Sequence, residues 1–187
     1  MPGKAPVTLQ MELKMTTALL VIDIQNDYFN GGSFPLWKAE ETEKNVLSAM
    51  AKASERGQPV ILVQHKANPQ NGHSLLFNEE TVGVEIRSNI RSAAAHAPVV
   101  VKRFADSFHN TTLASILRQH DVTALVLCGM MTQNCVTHTA LSKAAEPFKL
   151  SILTDCCTTV SEPVHQFAIG ALRTRPEIEL LSLADWK

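Results

Sequence analysis

The clearest strand-turn-helix pattern in the chain is Ala124-Leu-Val-Leu-Cys-Gly-Met-Met-Thr-Gln-Asn-Cys-Val-Thr-His138. It indicates a buried strand, a turn that contains Gly129, and then the start of a helix. Cys135 stands at that helix start, where unpaired backbone N–H groups and the positive end of the helix dipole favour an anion. We therefore expect the pKa of the Cys135 thiol to be lowered, which would make this residue a nucleophile.

Short apolar runs, rich in Val, Ile and Leu, alternate with helical patterns along the whole chain. Runs with little polar alternation are typical of parallel strands that are covered on both faces. The chain is therefore predicted to have an α/β fold: a doubly wound, mostly parallel six-stranded sheet with helices on both faces, in three Rossmann-like layers. The predicted strands are Thr17–Ile24, Pro59–His65, Pro98–Lys102, Ala124–Met130, Leu150–Thr154 and Ile178–Leu183. The predicted helices are Ala39–Arg56, Thr111–Gln119, Asn134–Ala145 and Glu162–Arg173.

Length and composition limit the classes of protein to consider. The chain has 187 residues, enough for a single domain, which we place at residues 16–187 after a flexible N-terminal lead-in of residues 1–15. A net charge of −1, without runs of like charge, argues against nucleic-acid and membrane partners. The 4 cysteines lack zinc-type spacing, and neighbouring Cys156 and Cys157 are poorly placed for a disulfide. We expect a reducing, cytoplasmic compartment.

Reactive side chains follow three of the predicted strands. Asp23 lies at the end of the first strand, Lys102 at the end of the third, and Cys135 after the fourth. Ligand sites of doubly wound sheets lie outside the carboxyl ends of the strands, so we expect these side chains to converge. A thiolate can attack an electrophilic carbon, a carboxylate can take the thiol proton, and an ammonium stabilises the negative charges.

Each of these residues, taken singly, has an ordinary structural interpretation. Asp23 could cap the loop after its strand, Lys102 could be a solvated strand-end lysine, and Cys135 could be an inert buried thiol. Their joint placement after three separate apolar runs favours a catalytic group.

Four segments of the chain resemble the isochorismatase-like cysteine hydrolases, a superfamily that includes nicotinamidases, N-carbamoylsarcosine amidohydrolases and isochorismatases. The segments are Leu20–Phe29, Val101–Phe108, Gly129–Val136 and Thr154–Thr159, followed by His165.

The resemblance implies a set of site residues. Asp23, Lys102 and Cys135 would form the catalytic triad, and the backbone N–H groups of Met131 and Cys135 would form an oxyanion hole. The peptide bond between Met130 and Met131 would be cis. Position in the family pattern also suggests substrate-binding residues, for which core packing or loop capping is the alternative. These residues are Gln25, Phe29, Phe108, Met131 and Thr132.

The segment after the second strand departs from the nicotinamidase pattern. Nicotinamidases carry an Asp-x-His pair and a further histidine as metal ligands, whereas this chain reads Gln64-His-Lys-Ala-Asn68. We therefore expect no metal and no other cofactor. His65 and His73 are interpreted as polar residues lining or covering the cleft, with metal ligation as the alternative. The long irregular stretch Ala67–Val84 is expected to cover the site.

The presence of Cys135 favours acyl chemistry, because isochorismatases that cleave a vinyl ether often lack this cysteine. The chain is interpreted as a metal-independent cysteine hydrolase that cleaves a small amide, ureido or related C–N bond through a thioester-type intermediate. Two alternatives stay open: vinyl-ether hydrolysis with Asp23 as the acid, and a non-catalytic binding module on the same fold. The expected partners are a small-molecule substrate and further copies of the chain in a dimer or larger homo-oligomer.

Overall fold

The computed structural model describes residues 15–187, so the predicted lead-in lies outside the described residues apart from Met15. The strands are β1 (Thr17–Ile22), β2 (Val60–His65), β3 (Val99–Lys102), β4 (Ala124–Met130), β5 (Lys149–Thr158) and β6 (Ile178–Leu181). They form one sheet in the order β3-β2-β1-β4-β5-β6, and every neighbouring pair is parallel. The predicted doubly wound α/β sheet is therefore confirmed.

Helices cover both faces of the sheet. They are α1 (Ala39–Glu55), α2 (Ser88–Ala93), α3 (Leu113–Gln119), α4 (Thr137–Ala140) and α5 (Glu162–Leu172). Strand β1 is apolar from Ala18 to Ile22 because both of its faces are buried: Leu19 and Val21 face one core, and Leu20 and Ile22 face the other. The first core packs against α1 and α2, and the second against α3, α4 and α5. No helix in residues 15–187 is long and apolar enough to span a bilayer.

The helix predicted over Asn134–Ala145 is broken into three short pieces. A π-helical turn covers Thr132–Val136, α4 follows it, and a 3₁₀ turn covers Lys143–Ala145. The break has a local cause, because the Ser142 hydroxyl accepts a hydrogen bond from the Ala144 N–H and so starts a new turn. Short α2 was not predicted, because six residues are too few to display a helical period.

Strand order locates the crevice of the sheet. The chain winds outward from β1 in both directions, through β2 and β3 on one side and through β4, β5 and β6 on the other. In such sheets the ligand site lies at the carboxyl ends of the two strands where the order reverses. Here those strands are β1 and β4, which precede Asp23 and Cys135.

Candidate active site

The structure brings Asp23, Lys102 and Cys135 together. The Lys102 Nζ lies 2.8 Å from Asp23 Oδ2 and 3.1 Å from Cys135 Sγ. Asp23, Lys102 and Cys135 are at most 1% exposed. Asp23 and Cys135 come from the adjacent strands β1 and β4, whereas Lys102 comes from β3 and reaches across β2.

The turn before Cys135 depends on Gly129. Its φ is +124°, and a Cβ there would lie 2.0 Å from the Ile22 carbonyl oxygen, so only glycine fits. The following Met130–Met131 peptide bond is cis. The Val136 N–H donates to the Met131 carbonyl at 3.3 Å and closes the π-helical turn. Cys135 therefore lies in a first helical turn, where backbone N–H groups are available to an anion.

The Lys102 ammonium has four polar partners: three hydrogen-bond acceptors and the Asp23 carboxylate, with which it is in ionic contact. Besides Asp23 and Cys135, its Nζ lies 3.0 Å from His65 Nδ1 and donates to the Phe104 carbonyl at 3.1 Å. Burial disfavours the charged form, but the Asp23 carboxylate and Cys135 outweigh it, and the pKa of Lys102 is raised. The positive charge of the site is therefore permanent at neutral pH.

The Cys135 thiol is protonated at rest. Burial and the nearby Asp23 carboxylate raise the pKa of Cys135 to about 12, against the opposing effect of Lys102. The lowered thiol pKa that the helix start predicted is therefore wrong, because burial and the Asp23 carboxylate outweigh the Lys102 charge at this position. A nucleophilic Cys135 consequently needs a base.

Asp23 is placed to be that base. Oxygen, nitrogen and sulfur atoms of Asp23, His65 and Cys135 lie within 4.8 Å of one another. Neither Asp23 oxygen accepts a hydrogen bond of standard geometry from a described residue, although Oδ2 is in ionic contact with Lys102. The carboxylate thus retains lone pairs that can take a proton.

His65, at the end of β2, is a neutral member of the site. Burial, together with the Lys102 and Arg103 charges, outweighs the Asp23 carboxylate and lowers the pKa of His65 to about 4. The imidazole stacks on Phe77, with ring centroids 5.5 Å apart. The Gln25 side chain holds the His65 backbone, because it donates to the carbonyl and accepts from the N–H, both at 2.8 Å.

The same atoms do not fit a metal ion. Asp23, His65 and Cys135 are the one group of potential ligands that residues 15–187 bring together. However, the Lys102 ammonium already contacts an atom of each, at 2.8, 3.0 and 3.1 Å. A metal ion bound to them would lie against this fixed positive charge. His73 is exposed on the loop and is not in this group.

A cleft of about 320 Å³ opens onto Cys135. Met131, which was predicted to bind substrate, lines it. The loop predicted to cover the site contributes Asn68 and Phe77 to its wall. Tyr28, Arg103 and Asn134 also line the cleft and were not predicted. A larger cavity, between residues 26–33 and 81–87, is lined by none of Asp23, Lys102 and Cys135.

The other four predicted substrate-binding residues do not line this cleft. Gln25 is committed to the His65 backbone, and Phe29 is buried beneath the Arg87 guanidinium at 4.3 Å. Phe108 stacks with Phe148, and the Thr132 hydroxyl bonds the Thr158 carbonyl at 3.1 Å and His165 Nδ1 at 2.9 Å. These contacts show supporting roles, and substrate binding by these four residues stays a prediction.

Comparison with known proteins agrees with this geometry. An isochorismatase domain model matches residues 17–184. The isochorismatase family protein YddQ of Bacillus subtilis (strain 168) is 37% identical over 157 residues, which cover 84% of this chain and 86% of that protein. The nicotinamidase of Escherichia coli (strain K12) is 26% identical, over 91% of this chain and 96% of that protein.

A solved structure shows the same fold. The isochorismatase family protein from Desulfovibrio vulgaris subsp. vulgaris str. Hildenborough superposes with a TM-score of 0.82. Its sequence identity is 26%, over 91% of this chain and 95% of that one. From the domain match, the YddQ similarity and the shared fold, we conclude that the chain belongs to the isochorismatase family of hydrolases.

Proposed function

We propose that this protein hydrolyses a small amide, ureido or related C–N bond through a thioester-type intermediate on Cys135, without a metal. One observation carries the proposal: the buried Lys102 ammonium contacts both Asp23 Oδ2, at 2.8 Å, and Cys135 Sγ, at 3.1 Å. The cleft of about 320 Å³ suits a small substrate. Similarity to a nicotinamidase, an enzyme named for an amide substrate, supports the C–N class.

In the first step, Asp23 takes the Cys135 thiol proton as Sγ bonds to the substrate carbonyl carbon. The carbonyl π electrons move to oxygen, and we propose that the N–H groups of Met131 and Cys135 donate to this oxyanion. The thiol pKa of about 12 explains why the proton leaves only when the new bond forms. Lys102 remains charged and stabilises the anionic groups beside it.

In the second step, the oxyanion collapses, the carbonyl reforms and the C–N bond breaks. The leaving nitrogen takes the proton from Asp23, so a neutral amine or ammonia departs and the acyl group stays on sulfur.

In the third step, Asp23 removes a proton from a water molecule as the water oxygen attacks the thioester carbon. The C–S bond breaks, sulfur recovers that proton, and the carboxylic acid product leaves.

Location and assembly remain proposals as well. The four cysteines are all free and buried, which supports the reducing, cytoplasmic compartment proposed from the sequence. A dimer or larger homo-oligomer is likewise proposed, and size-exclusion chromatography with light scattering tests it.

The decisive assay measures ammonia release from a panel of small amides and ureas. We expect Cys135→Ala to lose about 1,000-fold or more of the turnover of the best substrate, whereas Cys128→Ala, at a buried thiol within β4, keeps it. Intact-mass spectrometry of a quenched reaction should show an acyl adduct that maps to Cys135.

Other outcomes identify the alternatives. Full activity of Cys135→Ala would overturn the role of this residue as nucleophile. Turnover of a vinyl ether by the same variant, without an adduct, would indicate hydrolysis with Asp23 as the acid. A protein that turns over nothing and has an unreactive Cys135 would be the binding module.

A further inference from the structure

The Lys102 ammonium has one hydrogen-bond acceptor for each of its protons. An ammonium carries three N–H bonds, and three acceptors lie around it. These acceptors are His65 Nδ1 at 3.0 Å, Cys135 Sγ at 3.1 Å and the Phe104 carbonyl at 3.1 Å, while Asp23 Oδ2 is in ionic contact at 2.8 Å outside standard hydrogen-bond geometry. His65 is the one acceptor of this set that belongs to neither the Asp-Lys-Cys triad nor the backbone.

The contact with Lys102 fixes the tautomer of His65. Because an ammonium can only donate, Nδ1 must offer its lone pair, and the imidazole proton resides on Nε2. The ring cannot easily turn away. It stacks on Phe77, its side chain is 21% exposed, and the Gln25 amide clamps its backbone on both sides.

We propose that His65 is a positioning residue, whose Nδ1 lone pair holds the Lys102 ammonium against Asp23 and Cys135. This inference rests on the proposed role of Cys135 as the nucleophile. The β2 register places His65 directly opposite Lys102 across the strand pair, so the imidazole lies beside the lysine side chain where it crosses the sheet edge.

Loss of this acceptor would weaken the site through Lys102. The Lys102 side chain is fully buried, so water cannot replace a missing acceptor, and one N–H of a charged group would face an apolar surface. The charged form of Lys102 would become less stable. Because that charge lowers the pKa of the Cys135 thiol, the thiolate would become scarcer and the thiol less reactive.

The experiment measures the rate of Cys135 alkylation by iodoacetamide, mapped by peptide mass spectrometry, between pH 6 and 10. It compares three substitutions of His65. Asn places an amide oxygen near the position of Nδ1, Leu offers no acceptor, and Gln carries its amide near the position of Nε2. The matched control is His120→Asn at an exposed histidine.

We expect His65→Leu and His65→Gln to be alkylated at least about tenfold more slowly than His65→Asn at pH 8, with pH profiles displaced upward by about one unit or more. His65→Asn and His120→Asn should stay within about threefold of the wild type. A difference of less than tenfold between Leu and Asn overturns the proposal. If His65→Leu does not fold, judged by circular dichroism, the same criterion applies to Gln against Asn.

This readout separates the two proposals. Alkylation needs no substrate, so a protein that hydrolyses no amide still reports whether His65 controls Cys135 through Lys102. Conversely, amide hydrolysis with an acyl adduct on Cys135 can be observed even if all three variants alkylate at the same rate.

Discussion

The Asp23–Lys102 ion pair is fully buried, and its removal should destabilise the fold strongly. In Lys102→Met, a side chain of similar length replaces the ammonium and leaves the Asp23 carboxylate in a fully buried place. At 2.8 Å and an effective dielectric constant of about 20, the attraction that is lost amounts to about 6 kcal/mol. Part of this is recovered, because Asp23 can take up a proton. We therefore expect the free energy of unfolding at pH 8 to fall by about 3–5 kcal/mol.

A double-mutant cycle isolates the pair. Asp23→Asn leaves the ammonium with its contacts to His65 and Phe104 and should also be destabilising. The double variant, Asp23→Asn with Lys102→Met, has no buried charge at this position. It should therefore be more stable than the sum of the two single effects predicts, by about 2–3 kcal/mol.

Urea unfolding, followed by far-UV circular dichroism, measures all four proteins of the cycle. Lys149→Met, at an exposed lysine of β5, is the control and should change the free energy of unfolding by less than about 0.5 kcal/mol. If the single variants lie within about 1 kcal/mol of the wild type, or if the cycle is additive within about 0.5 kcal/mol, then the pair is not a buried, coupled contact.

Three further predictions concern the surroundings of the site. The pKa of His65 is lowered from 6.5 to about 4, so between these pH values the unfolded chain binds more protons than the folded chain. The free energy of unfolding should therefore fall by up to about 3 kcal/mol as the pH drops from 7 to 4. Urea unfolding at both pH values should show a smaller drop for His65→Asn, and an equal drop would contradict this account. Gly129→Ala should lower the free energy of unfolding by about 3 kcal/mol or more, because the added Cβ would lie 2.0 Å from the Ile22 carbonyl oxygen. A thermal melt measures this as a lower Tm, and an unchanged Tm would contradict the close contact between Gly129 and Ile22. Asp27→Ala leaves the buried N–H of Phe77 without its acceptor at 2.7 Å, which should lower the free energy of unfolding by about 1–3 kcal/mol and speed proteolysis of residues 67–84. An unchanged digestion rate would contradict the idea that Asp27 anchors this loop through Phe77.

The fold could be predicted because its strands are apolar on both sides. A strand such as β1 is buried in two cores at once, and this burial leaves a continuous apolar run in the sequence. Boundaries were less predictable. Strand β5 extends to Thr158 where Leu150–Thr154 was predicted, because Cys157 and Thr158 pair with Gly129 and Met130 beyond a register shift. A pairing of this kind depends on the neighbouring strand and leaves no local pattern.

The convergence of Asp23, Lys102 and Cys135 could be predicted from the rule that carboxyl ends of parallel strands share one edge. The protonation state of Cys135 could not be predicted, because it depends on burial by residues far apart in sequence. Tyr28 and Asn134 belong to the quoted motifs and line the cleft, so their proximity to Asp23 and Cys135 was the available signal. Nothing in the local sequence distinguishes Phe77, which enters the wall from the irregular loop, from an ordinary core residue.

The sheet order has one consequence for the chemistry that position 102 can carry. Strands β1 and β3 lie on either side of β2, about 10 Å apart, so a cationic side chain on β3 can reach Asp23 only if it is long and unbranched. A histidine at position 102 would be too short to reach Asp23. On β2, which lies between the two strands, a histidine is close enough to contact the site. The sheet order therefore requires a long side chain on β3, here Lys102, and allows a short, rigid ring on β2, here His65. Exchanging these two residues would keep the composition of the site but remove the contact with Asp23.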